Sequence, residues 1–597
     1  MTRTPLRPLA RILEARAKGE NPDHIERENI RLRAEDSRAR ATNRAEGRLL
    51  ILGLAFFAAF TVVGARMGLE AASEPSEPRS AGLGSGISAL RADITDRNGR
   101  ILATNLSTFS LYAQTKQMVD PARAARELAV IFPDMNAADL ERRFTDGRSF
   151  LWLRKKLSPE QVQAVHDIGD PGLLFGPREM RLYPNGALAA HVLGGASFGN
   201  EGVNSAEIIG VAGVERALDS RLRDPAQAGT PLALSLDLTV QATTEEVLAV
   251  GMKMMYAKAA TAILLDVKTG EVISMVSLPD FDPNDRLAAS VAAAAAKTRG
   301  GDSPLFNRAV QGVYELGSTF KIFAMAQAME LGLVEPDTMV DADAPLKWGK
   351  FTIKEFEGKN YGPLLSAMDV IVKSSNVGTA KIAMRIGADL QQAFLGSLGL
   401  FDASPVELSE ASGAKPLLPH PWSEIVTITA SYGHGIATSP INLAAAYATI
   451  ANGGVSIPPT LLRRDIVPRG TRRMSEKTAR NAVEMLRQVV VRGTASFGEV
   501  PGYEVAGKTG TADKPKDTGG YYSDKVINTF ASMFPASDPQ YVLVLMMDEP
   551  ADISGRGTAG WTAVPVAAEV IRRVAPLLGL RPKIESLPKI ALSELPE

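Results

Sequence analysis

Residues 49–65 are 17 consecutive uncharged and mostly apolar positions, from Leu49 through Phe56, Phe57 and Phe60 to Ala65. A bilayer core about 30 Å thick takes about 20 residues of helix, so 17 lies at the short end. Met67 and Leu69 extend the run if Arg66 turns its guanidinium to the interface. The sequence therefore predicts a single transmembrane helix over 49–69. A buried core helix and a cleaved signal peptide are the competing readings. The second is disfavoured because residues 1–48 are far too long a basic region, with 12 Lys/Arg against 8 Asp/Glu, and no small-x-small site is well placed. The same basic excess assigns 1–48 to the cytoplasm, as a disordered or loosely helical tail, and everything after 69 to the other side of the membrane.

The chain beyond the anchor divides by composition and periodicity. Residues 70–90 hold Pro75, Pro78, Gly82, Gly84, Gly86 and five serines, a linker's composition. Residues 91–230 open on a turn at Asp96 to Gly99. Helices follow, capped at Asp120-Pro121, at Asn136, and at Ser158-Pro159 with Gln161 completing a capping box. No catalytic pattern occurs there, and the region reads as a non-catalytic α+β pedestal. Residues 231–578 begin with a strand over 231–237, a helix over 238–256 and two strands around Lys268. A largely helical block spans 308–454. Strand character returns at 503–511, 531–535 and 541–547, and an amphipathic helix over 563–578 closes the domain. Strands at both ends with helices inserted between them mean α+β. Residues 579–597, rich in Pro and Glu, read as a tail.

Composition excludes several chemistries. There is no cysteine, hence no disulfide, thiolate metal site or cysteine nucleophile. The histidines His24, His166, His191, His420 and His434 form no metal-ligand spacing, so no metal is expected. A Ser-His-Asp triad could still assemble in space. A net charge of −1 gives no sign of nucleic acid as a partner.

Three short motifs carry the chemistry. In Val313-Tyr-Glu-Leu-Gly-Ser-Thr-Phe-Lys-Ile-Phe323, Ser318 and Lys321 are three residues apart and precede an apolar-periodic run. That spacing puts both on one face of a helix's first turn, where the lysine amine can reach the serine hydroxyl. A serine hydroxyl needs such a base, and a lysine becomes one when burial or a neighbouring cation lowers its pKa. Two other Ser-x-x-Lys copies lack this context: Ser412/Lys415 contains Gly413 and Ser586/Lys589 contains Pro588. Ser374-Ser375-Asn376 and Lys508-Thr509-Gly510-Thr511-Ala512 follow in order. Lys268-Thr269-Gly270 is a decoy of the last motif and reads as a hairpin turn. Lys508 could supply the cation beside Lys321 and hold a carboxylate, and Ser374 could relay a proton.

The ordered set resembles penicillin-binding proteins and serine β-lactamases. With Asp96-Arg-Asn-Gly99, Asn307-Arg-Ala309, Tyr432-Gly-His-Gly-Ile436 and Ala451-Asn-Gly-Gly454, the region 91–578 resembles a class B penicillin-binding protein of the septal, cell-division type. One departure is Leu316, where that family usually has proline. There is no glycosyltransferase domain ahead of the pedestal, which argues against the bifunctional class A enzymes. The resemblance implies an antiparallel sheet with an inserted helical block, set on a dimerisation-type pedestal. It implies an oxyanion hole from the backbone N–H groups of Ser318 and Thr511, and donor-peptide binding by Asn376, Thr509, Gly510 and Thr511. The implied reaction is D,D-transpeptidation of peptidoglycan stem peptides without a cofactor, with β-lactams as inhibitors. A septal membrane glycosyltransferase and other division proteins are the implied partners, and the inner membrane at the septum, with a periplasmic catalytic domain, is the implied place. Three rivals stand beside this reading. An elongation-specific transpeptidase is the nearest. A division scaffold would tolerate Ser318→Ala, and a β-lactam sensor would need a signalling domain that 1–48 is too short to hold.

Overall fold

The computed structural model describes residues 8–72, 91–201, 206–227, 229–298, 303–516 and 519–583. Most of the expected linker (73–90) and of the expected tail (584–597), together with residues 1–7 and the Ser586/Lys589 pair, lie outside the described residues. The chain separates into two units, 1–86 and 87–597.

The first unit is helical. Leu9–Ala17 is followed by one 50-residue helix, Asp23–Ala72. Its stretch Glu46–Gly64 has a mean hydropathy of 2.0 and is wholly unburied, and it is the one span among the described residues long and apolar enough to cross a membrane. Upstream of that span the polar part is helical rather than loose. Side-chain pairs such as Arg31–Glu35, 3.4 Å apart, support it, each adding about 0.2–0.5 kcal/mol to an exposed helix.

In the second unit, strand Ile101–Ala113 pairs antiparallel with Leu151–Leu157, Leu173–Leu182 and Ile94–Thr95. Helices Pro121–Ile131, Ala137–Thr145 and Pro159–Ile168 pack with that sheet around Leu111, Leu128, Phe132, Phe144 and Val165. All three predicted caps form. Asp120 accepts from Arg123 N, Asn136 from Asp139 N, and Ser158 and Gln161 close the reciprocal box. Each satisfies N–H groups that a helix start leaves unpaired. Buried Glu215 ties the layers together, accepting from Arg91 Nε at 2.6 Å and Arg181 Nε at 2.7 Å.

Of the strand expected at 231–237, only Leu232–Ala233 joins a ladder, parallel to Ile94–Thr95. The following residues are drawn to other neighbours: Leu234 bridges Leu462, and Ser235 Oγ donates to the carbonyls of Val272 and Thr460. Asp237 then caps helix Leu238–Met254.

The main sheet has five antiparallel strands in the order Ala506–Pro515, Tyr521–Phe534, Tyr541–Asp548, Ala259–Asp266, Val272–Leu278. Segments more than two hundred residues apart thus lie side by side, and the helical block between them is an insertion. The hairpin at Lys268-Thr269-Gly270 forms between the last two, with Asp266 accepting from both Lys268 N and Thr269 N. Every residue of Val272–Leu278 is buried, as expected for a sheet covered on both faces. Leu238–Met254 packs with Ala563–Leu577 against the sheet, and the apolar helix Pro440–Ala451 also lies on it.

Candidate active site

Leu316 has left the extended conformation and Gly317 takes φ +57°, so the chain enters a tight 3-10 turn, Gly317–Phe320, before the α-helix Lys321–Glu330. Ser318 therefore sits in the turn and Lys321 opens the helix, a tighter start than the regular α-turn expected. Thr319 Oγ1 donates to the Leu316 carbonyl at 2.9 Å and Tyr447 OH to the Thr319 carbonyl at 2.8 Å, which pins the turn from both sides. Phe320, Phe323 and Tyr447 meet edge to face behind it. All but one residue of Lys321–Glu330 is buried, so the helix that follows the Ser318 turn is held rigid by packing.

Strand Ala506–Pro515 is an edge of the sheet and lies against this turn. Gly510 permits that approach: a Cβ there would be 2.3 Å from the Leu316 carbonyl oxygen. The Thr511 backbone is also close, since a Cβ on Gly317 would lie 2.9 Å from its carbonyl oxygen and 3.4 Å from its nitrogen. The residue before Ser318 is thus packed against the Thr511 backbone.

The third motif arrives on its own helix. Ser374 has φ +60°, a left-handed conformation that costs a residue with a Cβ about 1–2 kcal/mol. Asn376 begins helix Asn376–Ile386, with Ser375 as N-cap accepting from Gly378 N.

Lys321 and Lys508 are both fully buried and converge on Ser374 Oγ, at 3.1 and 3.0 Å. Lys321 Nζ also donates to the Ser374 carbonyl at 2.5 Å and to Asn376 Oδ1 at 2.7 Å. Burial drives the Lys321 amine well below its ordinary pKa, with the neighbouring Lys508 cation adding to the effect and Glu355 opposing it. Burial brings Lys508 down to about 7. Two cations sharing one hydroxyl oxygen repel, which favours the loss of a proton from Lys321. When that proton leaves, two N–H donors remain for the carbonyl oxygens of Ser374 and Asn376, and the lone pair is left for a hydroxyl proton. Among the described residues no hydrogen bond joins Lys321 to the Ser318 hydroxyl, because Ser374 and Asn376 occupy the amine.

The remaining motif residues have partners that the sequence did not indicate. Thr509 Oγ1 lies 2.7 Å from Thr494 Oγ1, and Thr511 Oγ1 accepts from Ala559 N at 3.1 Å. Asn376 Nδ2 donates to the Lys354 carbonyl at 2.9 Å. Glu355, 4 % exposed, accepts from Ser375 Oγ at 2.6 Å and Asn376 N at 2.7 Å. Thr494, Tyr447, Glu355 and Ala559 stood in no recognisable pattern. Of these only Tyr447, a polar tip in a mostly apolar helix, left a signal, and it is one that core packing equally explains. Ser412, of the rejected Ser-x-x-Lys copy, is exposed and bonds Ser409 O.

Beyond Thr511 a cavity of about 460 Å³ continues the cleft between residues 313–315 and 513–515, with Leu417, Leu418 and Ile527 in its wall. Among the described residues no three His, Asp or Glu side chains converge as a metal site would require.

Known proteins are similar to this chain in sequence and fold. A family model described as the penicillin binding protein transpeptidase domain matches residues 260–572, and one described as the penicillin-binding protein dimerisation domain matches 86–227. The chain is 34 % identical over 567 residues to a probable peptidoglycan D,D-transpeptidase FtsI of Caulobacter vibrioides, covering 92 % of each chain. It is 28 % identical over 520 residues to the peptidoglycan D,D-transpeptidase FtsI of Escherichia coli, covering 83 % of this chain and 85 % of that one. Among solved structures, penicillin-binding protein 3 from Mycobacterium tuberculosis in complex with aztreonam is similar with a TM-score of 0.63 at 25 % identity, over 83 % of this chain and 98 % of that one.

Proposed function

Because this chain belongs to the class B penicillin-binding proteins, we propose that it cross-links septal peptidoglycan through an acyl-enzyme on Ser318. It is a serine-type D,D-transpeptidase, with peptidoglycan as substrate and β-lactams as ligands. The observation that carries the assignment of residues is the convergence of Lys321 and Lys508 on Ser374 Oγ beside the Ser318 turn.

In this reading Ser318 Oγ attacks the penultimate D-Ala carbonyl while its proton passes to neutral Lys321. The oxyanion is held by the N–H groups of Ser318 and Thr511. The C–N bond breaks, and the departing D-Ala amine takes the proton by way of the Ser374 hydroxyl. An amine of a second stem peptide then attacks the ester, gives up a proton along the same route, and restores the Ser318 hydroxyl. Lys508, Thr509, Gly510 and Thr511 receive the donor's terminal carboxylate, Asn376 receives its amide, and the cavity beyond Thr511 takes more of the stem. Residues 91–230 serve as the pedestal and 231–578 as the transpeptidase domain. Incubation with a D-Ala-D-Ala stem peptide and an amine acceptor should release D-Ala and form one cross-link per D-Ala released. Product formation by Ser318→Ala would refute the reading.

The protein is anchored by its apolar helix. We place the short N-terminus in the cytoplasm, the catalytic unit in the periplasm and the molecule at the septum. Ala55 and Ala59 fall on a small-residue strip beside exposed Phe56, Phe60 and Val63, a pairing suited to packing against another membrane helix. The partner fitting this reading is a septal glycosyltransferase. A fluorescent fusion should gather at mid-cell, and exchange of 49–69 for an unrelated span of equal length should impair division while leaving penicillin binding intact. Full division with the foreign span would refute the contact, and side-wall labelling would favour the elongation enzyme.

A further inference from the structure

Glu355 lies just after strand Phe351–Ile353, twenty residues before the motif it serves. Its carboxylate faces the start of helix Asn376–Ile386. Oε1 accepts from Ser375 Oγ at 2.6 Å and from Val377 N at 3.3 Å, and Oε2 accepts from Asn376 N at 2.7 Å. Ser375 Oγ in turn accepts from Gly378 N at 2.9 Å. The first three N–H groups of that helix are therefore satisfied by one carboxylate and one hydroxyl, and the carboxylate sits where the helix dipole favours negative charge.

The preceding residue completes a clamp. The Lys354 carbonyl accepts from Asn376 Nδ2, so this loop grips Asn376 by both its side chain and its main chain. With Nδ2 committed to Lys354, Oδ1 is the atom left facing Lys321. Ser374, strained at φ +60°, is bonded directly to the gripped segment, and a strained residue persists only where its surroundings over-determine it.

The clamp is also a charge. The charged groups acting on Lys321 are Lys508, from strand Ala506–Pro515, and Glu355, from this loop. Glu355 opposes burial and Lys508 in setting the proton affinity of the amine. Around Glu355 itself stand Lys354, Glu357 and Tyr361, the last with its hydroxyl pKa raised by burial and then by the two glutamates.

We propose that Glu355 is a positioning residue for acyl transfer: it fixes Ser374 and Asn376 against Lys321 through the 375–377 segment, and it places a negative charge on the segment that holds that amine. This rests on Lys321 being the base of the proposed reaction.

The test is the penicillin acylation rate of the full-length protein from pH 5 to 9, for the wild type, Glu355→Gln and Glu355→Asp. Lys321 must be neutral to act, so the rate rises as pH climbs through its pKa. Removing a nearby negative charge lowers that pKa. Glu355→Gln should therefore move the acid limb to lower pH, by about half a unit or more. It should also lower the plateau about tenfold or more, because an amide cannot accept from all three donors. Glu355→Asp keeps the charge and shortens the reach, so its limb should stay in place while its plateau falls. A Glu355→Gln limb that does not move would reduce Glu355 to a helix cap and overturn the proposal. If that variant does not fold, Glu355→Asp decides alone: wild-type rates at every pH would overturn it. Absence of acylation in the wild type, or its persistence in Ser318→Ala, would instead refute the catalytic reading on which the inference rests.

Discussion

Lys321→Ala is expected to lose penicillin acylation nearly as completely as Ser318→Ala, by on the order of 10³-fold or more at neutral pH. The size of the effect comes from the absence of a substitute. Lys321 is buried, has its pKa lowered first by that burial and then by the Lys508 cation, and opens the helix that Ser318 enters. Lys508, which burial brings down to about 7, bonds Ser374 and Thr509 rather than the turn that carries Ser318. Nucleophile and base work as a unit, so either deletion should cost about as much as both, and the double variant should be no worse than Ser318→Ala. The measurement is the second-order rate of adduct formation by intact mass. Retention of substantial acylation in Lys321→Ala, with an acid limb near pH 7, would transfer the role to Lys508.

The second large effect concerns the lifetime of the acyl-enzyme. Penicillin's strained amide should acylate Ser318 by the same Lys321-assisted attack, and the resulting ester should persist. Class A β-lactamases clear such an ester with a glutamate that activates a water. No Glu-x-x-Leu-Asn segment lies between Ser374 and Lys508, and the nearby carboxylates are engaged. Glu315 accepts from Gly435 N at 3.1 Å and Tyr521 OH at 2.8 Å and lies 3.0 Å from His434 Nδ1. Glu355 is buried and committed to residues 375–377. Without an activated water, the penicilloyl adduct waits for an amine that its own bulk keeps out. Intact mass after mixing with a modest excess of penicillin should show one stable adduct and negligible drug hydrolysis. Rapid return to the unmodified mass with hydrolysed drug accumulating would mean that the site is a hydrolase.

Much of the architecture was legible in the chain because it is local. The apolar run at 49–65, the caps at Asp120, Asn136 and Ser158, and the hairpin at Lys268 depend on residues within one or two turns of each other, and the structure has each of them. The strand expected at 231–237 was shortened because its later residues bond to Thr460 and Leu462, over two hundred positions away. The turn at Ser318 became 3-10 rather than α because Thr319 and Tyr447 hold its carbonyls and strand Ala506–Pro515 presses on it.

By itself the sequence determined the inventory: an apolar span long enough to cross a membrane, an α+β body, a serine and two lysines in a fixed order, and no cysteine for competing thiol chemistry. Those follow from residue type and short-range periodicity, which a linear reading contains. The tertiary structure alone decided how the inventory is wired. It placed Ser374 between the two lysines, aimed Lys321 at Ser374 and Asn376 in this state, and brought in Glu355, Thr494 and Tyr447 as supports. The physical reason is that both the proton affinity of a buried amine and the direction of its lone pair are set by what surrounds it in space. Here those surroundings come from four segments that meet only when the sheet closes on the inserted helices.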